Sequence, residues 1–178
     1  MVYKNNLHMA TEILTAADTT LTALSALFST FTPEEVNQLP FEGSWTAGQL
    51  ATHLIKSNGG FVEIMNGPVK ETDRAPDMLV AGIKKDFLDF STKMISPPFI
   101  APENIPYQKE ALLSAMKKIK NDLSQAIQAL DLSKTCLAFE LPGYGAFTRL
   151  EAASFIVYHT QRHLRQLKNI RDKVGKEV

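Results

Sequence analysis

Four histidines occur in the chain, and three of them are placed for metal chemistry. His159 and His163 are four residues apart, so on a helix both imidazoles leave one face about one turn apart. That spacing lets two rings grip one ion, as in helical metal sites generally. His53 falls on the inward stripe of a different expected helix. If the two helices are neighbours, three imidazoles meet at one point. In an apolar interior an unpaired ring nitrogen costs on the order of 1–3 kcal/mol, and protonating three clustered rings together is unfavourable. A divalent ion relieves both problems, because neutral imidazole is a good ligand for zinc, nickel and iron. The competing reading is that histidine pairs at this spacing are also common on helix surfaces. His8 lies off its helix's apolar stripe, has no partner at ligand spacing, and reads as a surface residue.

The segments that carry these histidines begin with strong helix-start signals. Thr46 with Gln49, and Thr148 with Glu151, are capping boxes opening into apolar runs. The first predicts a helix with Leu50, His53, Ser57, Phe61 and Ile64 inward, ended by Gly67-Pro68. Gly59-Gly60 weakens its middle or admits a close backbone. Trp45 and Leu50 stand at the two positions of a hydrophobic staple, which predicts a largely buried Trp45. The second box predicts a final helix with Ala152, Ile156, His159, His163, Gln166 and Ile170 inward. Its charged tail after Arg171 is expected to fray toward Val178.

Other helices must frame these two. Leu7, Ala10, Leu14, Ala17, Leu21, Leu24 and Phe28 predict an amphipathic helix from about Asn6 to Phe31, long enough to require lengthwise packing in a bundle. Thr32-Pro33-Glu34-Glu35 predicts a short second start, ended by Pro40. Between 68 and 107 the pattern is irregular. Leu79, Ile83, Phe87, Phe90 and Met94 predict a helix there, and Pro97-Pro98, Pro102 and Pro106 an extended loop. Leu112, Met116, Ile119, Leu123, Ala126 and Leu130 predict a helix from about Gln108 to Leu130, with Lys117, Lys118 and Lys120 on a solvated face. Residues 132–147 read as a connection, with Leu137, Phe139 and Leu141 alternating before a turn at Pro142-Gly143-Tyr144-Gly145.

Composition narrows the function classes. The 178 residues argue for one domain, large enough to bury a core without disulfides. Lys+Arg and Asp+Glu balance at 19 each, which removes any general attraction to nucleic acid or anionic membranes. A lone cysteine, Cys136, fits a reducing cytoplasm and reads as a small buried hydrophobe, although its connection could bring it near the site. No apolar run approaches the roughly 18 residues of a membrane span, and Glu12 and Asp18 break the pattern of a signal peptide. The expectation is a soluble cytoplasmic protein.

The stretch Trp45-Thr46-Ala47-Gly48-Gln49-Leu50-Ala51-Thr52-His53-Leu54 resembles the Trp-Ser-x-x-Glu-x-x-x-His-Leu start of the second helix in the DinB/YfiT superfamily. His159-Thr160-Gln161-Arg162-His163-Leu164-Arg165-Gln166-Leu167 resembles that family's final helix, His-x-x-x-His ending in Gln-Leu. The likeness extends over nearly the whole length, including Phe87 to Pro102 and the run from Gly143 to Arg149. It implies an all-α fold: a four-helix bundle over residues 1–178, with an irregular, partly helical insertion between the second and third long helices. It also implies a homodimer, and one divalent ion (zinc, nickel or iron) on His53, His159 and His163. Thr46 and Gln49 replace the family's usual serine and glutamate and keep the capping chemistry.

Three protein ligands leave a coordination position open, which marks catalytic rather than structural sites. Characterised members of the family are mostly thiol-dependent transferases or isomerases of small molecules, and others are classed as metal-dependent hydrolases. The first expectation is therefore a metal-dependent transferase that directs a low-molecular-weight thiol onto an electrophilic small molecule. The alternative is a hydrolase using metal-bound hydroxide, which needs a general base; Thr160-Gln161-Arg162 between the ligands offers no carboxylate. A third reading is a non-catalytic metal- or ligand-binding stress protein, which a small closed cavity would favour. Gln49, Ser57 and Gln166 lie near inward positions, and at least one of them is expected to line the metal cavity and support a ligating imidazole.

Overall fold

The computed structural model describes residues 2–174, with side chains from His8 onward. The place of Leu7 on the first stripe and the fraying of residues 175–178 lie outside the described residues. Four long helices carry the architecture: α1 (Val2–Ser29), α2 (Ala47–Asn66), α4 (Lys109–Ala129) and α5 (Arg149–Arg171), with a shorter α3 (Val80–Leu88) in the insertion. α1 packs on α4 and α5, and α2 packs on the same pair. The order around the bundle is thus α1–α4–α2–α5, with α1 and α2 on one diagonal. This makes α2 and α5, the two histidine-bearing helices, direct neighbours. α3 packs on the outside of α5.

Amphipathic stripes close the interior in two apolar clusters. One gathers Ile13, Leu21, Phe61, Met65, Leu123 and Phe155, the other Leu24, Phe28, Leu50, Leu54, Met116 and Leu167. His53 stands between Leu50 and Phe61 along α2, and His159 between Phe155 and Leu167 along α5, so the site lies at the seam between the clusters. Both capping boxes form. Thr46 Oγ1 accepts from the Gln49 amide, Thr148 Oγ1 from the Glu151 amide, and the Gln49 and Glu151 side chains close each box. The Thr32–Glu35 box forms too, but it opens only a 3-10 turn, Glu35–Asn37. Lys117 and Lys118 are exposed as expected, while Lys120 reaches Asp18 and Thr22 on α1.

Two expectations are corrected. The segment read as a plain connection is a hairpin, β2 (Thr135–Leu141) and β3 (Gly145–Thr148), to which β1 (Val69–Lys70) adds antiparallel in the order β1-β2-β3. Alternating Leu137, Phe139 and Leu141 and the turn glycines Gly143 (φ 87°) and Gly145 (φ 77°) are its signal. The fold remains all-α in class, with this small sheet at its side. The helix expected to run through Phe90 and Met94 stops at Leu88. The Asp89 carboxylate accepts from the Ser91 amide, the Ser91 hydroxyl and the Thr92 hydroxyl, which turns the chain. Phe90 and Met94 are consequently exposed.

Candidate metal centre

The three histidines converge. His159 Nε2 lies 3.2 Å from His53 Nε2 and 3.0 Å from His163 Nε2, and one candidate ligand nitrogen from each ring lies within 4.8 Å of the other two. His53 and His159 are buried and His163 is partly exposed. His8 stays on the surface, paired with Glu12.

The other ring nitrogens are occupied. His53 Nδ1 donates to the Ile100 carbonyl at 3.2 Å, with the Ser96 hydroxyl at 3.3 Å. His163 Nδ1 donates to Gln166 Oε1 at 2.9 Å, and His159 Nδ1 meets the Ser57 hydroxyl at 3.4 Å. A carbonyl oxygen can only accept, so the Nδ1 atoms of His53 and His163 carry the ring protons and their Nε2 atoms present bare lone pairs. His159 has one ring proton, which on Nε2 serves one of these two lone pairs and on Nδ1 neither, so at least one facing lone pair has no donor in the cluster. The donor set fits a cation: nitrogens on one ion at 2.0–2.1 Å stand roughly 2.8–3.4 Å apart, as the two pairs that include His159 do.

Electrostatics keeps the rings neutral. Burial holds His53 below its ordinary value, the Ile100 carbonyl opposing only in part. Burial, then the neighbouring His163 and His53 rings and Arg162, hold His159 well below it. Burial and His53 push His163 down to about 3. The surroundings are aromatic. Phe155 stacks on His159 (5.1 Å, 25°), Phe87 stands edge-on to it (5.7 Å), and Trp45 lies over His163 (6.4 Å, 17°) and 5.0 Å from His53. Trp45 is largely buried and packs against the cluster that holds Leu50, as its staple position predicts, and it also forms a wall of the site.

The cluster floors an open cleft of about 1480 Å³. Ser57 and Gln166 line it, but Gln49 does not. The Gln49 side chain is committed to the α2 cap and to the Glu103 carbonyl, because a residue at the third helical position points back along its own first turn. Cys136 is buried in β2, where burial pushes its thiol up, and is outside the cleft. Sequence reasoning missed the Ile100 carbonyl, a backbone group with no compositional signal. It also missed Arg162, whose guanidinium donates to the Phe87, Asp89 and Thr92 carbonyls and fixes the end of α3 beside the cluster.

The chain is 23% identical over 146 residues to the uncharacterized protein YuaE of Bacillus subtilis (strain 168), covering 79% of this chain and 86% of that one. No solved structure gives a significant match. The family model of the DinB superfamily matches residues 16–167. With its histidine cluster between α2 and α5 of a helical bundle, this chain belongs to the DinB superfamily.

Proposed function

We propose that the protein is a metal-dependent transferase that directs a low-molecular-weight thiol onto an electrophilic small molecule. The observation that carries this reading is three converging Nε2 atoms at the floor of an open cleft, with no carboxylate in the cluster among the described residues. A divalent ion on His53, His159 and His163 would supply a Lewis-acid position at which a thiol sits deprotonated. The chain's own residues prepare that position. The Ile100 carbonyl and Gln166 hold two rings in the required tautomer, and Ser57 steadies the third. Phe87, Phe155 and Trp45 exclude water from the ring faces. The transfer forms a sulfur–carbon bond, with the thiol proton passing to solvent and the displaced group leaving with its electron pair.

A hydrolase needs a base beside the ion. The cleft's carboxylates, Glu63 and Asp86, belong to its walls, and Asp86 accepts from the Tyr144 hydroxyl. The open, roomy cleft also speaks against a closed binding site. Cobalt-loaded protein should change its visible spectrum when small thiols are added, and the His159→Ala protein should not. Ester turnover with a spectrum indifferent to thiols would replace this reading by the hydrolase, and response to neither panel would leave a binding protein.

A further inference from the structure

The cleft has an aromatic wall that the metal cluster does not require. Phe99 meets Phe139 (6.3 Å), Phe139 meets Phe61 edge-on (6.0 Å, 85°), Phe61 meets Phe155 (4.2 Å), and Phe155 stacks on His159. All five line the cleft, so one continuous series of rings descends from solvent to the cluster. Its outer end is Phe99, 68% exposed, beside Ile95, 89% exposed. Phe41 and Met94, also exposed, line the same cleft. A chain in water does not ordinarily gather so much exposed apolar surface in one concave place without an occupant.

The charges around the cleft do not select a charged occupant. Lys56 donates to the Ala101 carbonyl, Asp86 is held by Tyr144, and Arg162 is spent on three backbone carbonyls. Lys93 and Glu63, opposite in sign, complete the rim. Concavity and depth distinguish the cleft from a flat protein-docking face, and its volume exceeds that of one drug-sized ligand, leaving space for a thiol beside a second molecule.

We propose that the acceptor is an uncharged aromatic small molecule, seated along the Phe99–Phe139–Phe61 wall with its reacting end toward the histidine cluster. Its role as acceptor rests on the transferase reading, while its binding does not. The test is fluorescence titration with N-phenyl-1-naphthylamine, on metal-free and metal-loaded protein, with metal content measured separately. Saturable one-to-one binding is expected in both states, weakened about tenfold in Phe99→Ala. Leu137→Ala, which removes an exposed apolar side chain outside the cleft, should bind like the parent. Displacement by 2-naphthol should be about tenfold more effective than by its saturated decahydro analogue. Binding without metal uptake would sink the metal reading and leave this one standing. No saturable binding, equal loss in Leu137→Ala, or equal displacement by the saturated analogue would overturn it. So would a dimer that Phe99→Ala dissociates without weakening the probe, since the wall would then be an interface.

Discussion

Each neutral imidazole in the cluster has two nitrogens and one proton, and His53 and His163 spend that proton on carbonyl oxygens away from the cluster. Removing His53, His159 or His163 singly with alanine should abolish most metal uptake in elemental analysis, whereas His8→Ala should retain it. The partners on the far nitrogens separate support from mere proximity. Gln166→Leu removes the side-chain acceptor of His163 Nδ1 and should weaken metal affinity by about 10–100-fold in a chelator competition. Gln49→Leu should leave that affinity unchanged and instead lower stability by about 1 kcal/mol, read by urea titration, because its role is the α2 cap. Trp45→Ala should cost about 1–2 kcal/mol, less than a core aromatic, and should alter the spectrum of cobalt-loaded protein.

At the scale of elements, the cap of α5 does more than start a helix. The buried Glu151 carboxylate accepts from the Thr148 and Leu79 amides and from Arg74 at 2.5 and 2.7 Å. One side chain thus joins the hairpin's end, the entry to α3 and the first turn of α5. Arg74→Ala leaves that charge buried without its cation and should destabilise by about 3 kcal/mol, the low end for broken buried pairs because Arg74 is partly exposed. Thermal or urea unfolding checks this, and a loss below about 0.5 kcal/mol would mean the pair is merely a surface contact. A related pair, Glu35 with Arg171, ties the 3-10 turn to the end of α5. The Arg171 guanidinium and the Thr32 amide hold its carboxyl down at about 2, from an ordinary value of 4.5, so its contribution is full above about pH 5 and is lost progressively as pH falls from there through about 2.

For the whole molecule, the depressed histidines set the acid response of the metal-free protein. Unfolding returns each ring to its ordinary value near 6.5, so below that pH the unfolded chain binds more protons than the folded one. Stability should be flat in this contribution above pH 7 and fall as pH drops through about 6.5 toward 3. Each ring that stays neutral in the fold while it is protonated in the unfolded chain adds at most about 1.4 kcal/mol per pH unit to the slope. Urea titrations at pH 7.5 and 5.5 would check this, and bound metal should steepen the loss, because protons then compete with the ion as well.

How far the sequence could be read follows from which interactions are local. Both capping boxes, the Gly67-Pro68 stop and the stripes of α2, α4 and α5 depend on residues a few positions apart, and one pass along the chain finds them. The i, i+4 pair His159–His163 is equally local. The hairpin was missed because its alternation is short and its first strand holds Cys136 and Thr135 inward while Leu137 faces solvent, an inversion set by what covers each face. The end of α3 was missed because Asp89 and its hydroxyl partners outweigh an apolar periodicity that continues past it.

Adding His53 to the pair required α2 to neighbour α5, and that follows from the order of helices around the bundle, a property of no single segment. The same packing sets the Ile100 carbonyl against His53 across 47 residues and makes Trp45, packed on the core beside Leu50, a wall of the cleft as well. Helix starts, stops and faces are written in short-range chemistry; a site assembled from distant residues exists only once the apolar stripes have chosen their partners, because burial rewards contact without naming which residues must meet.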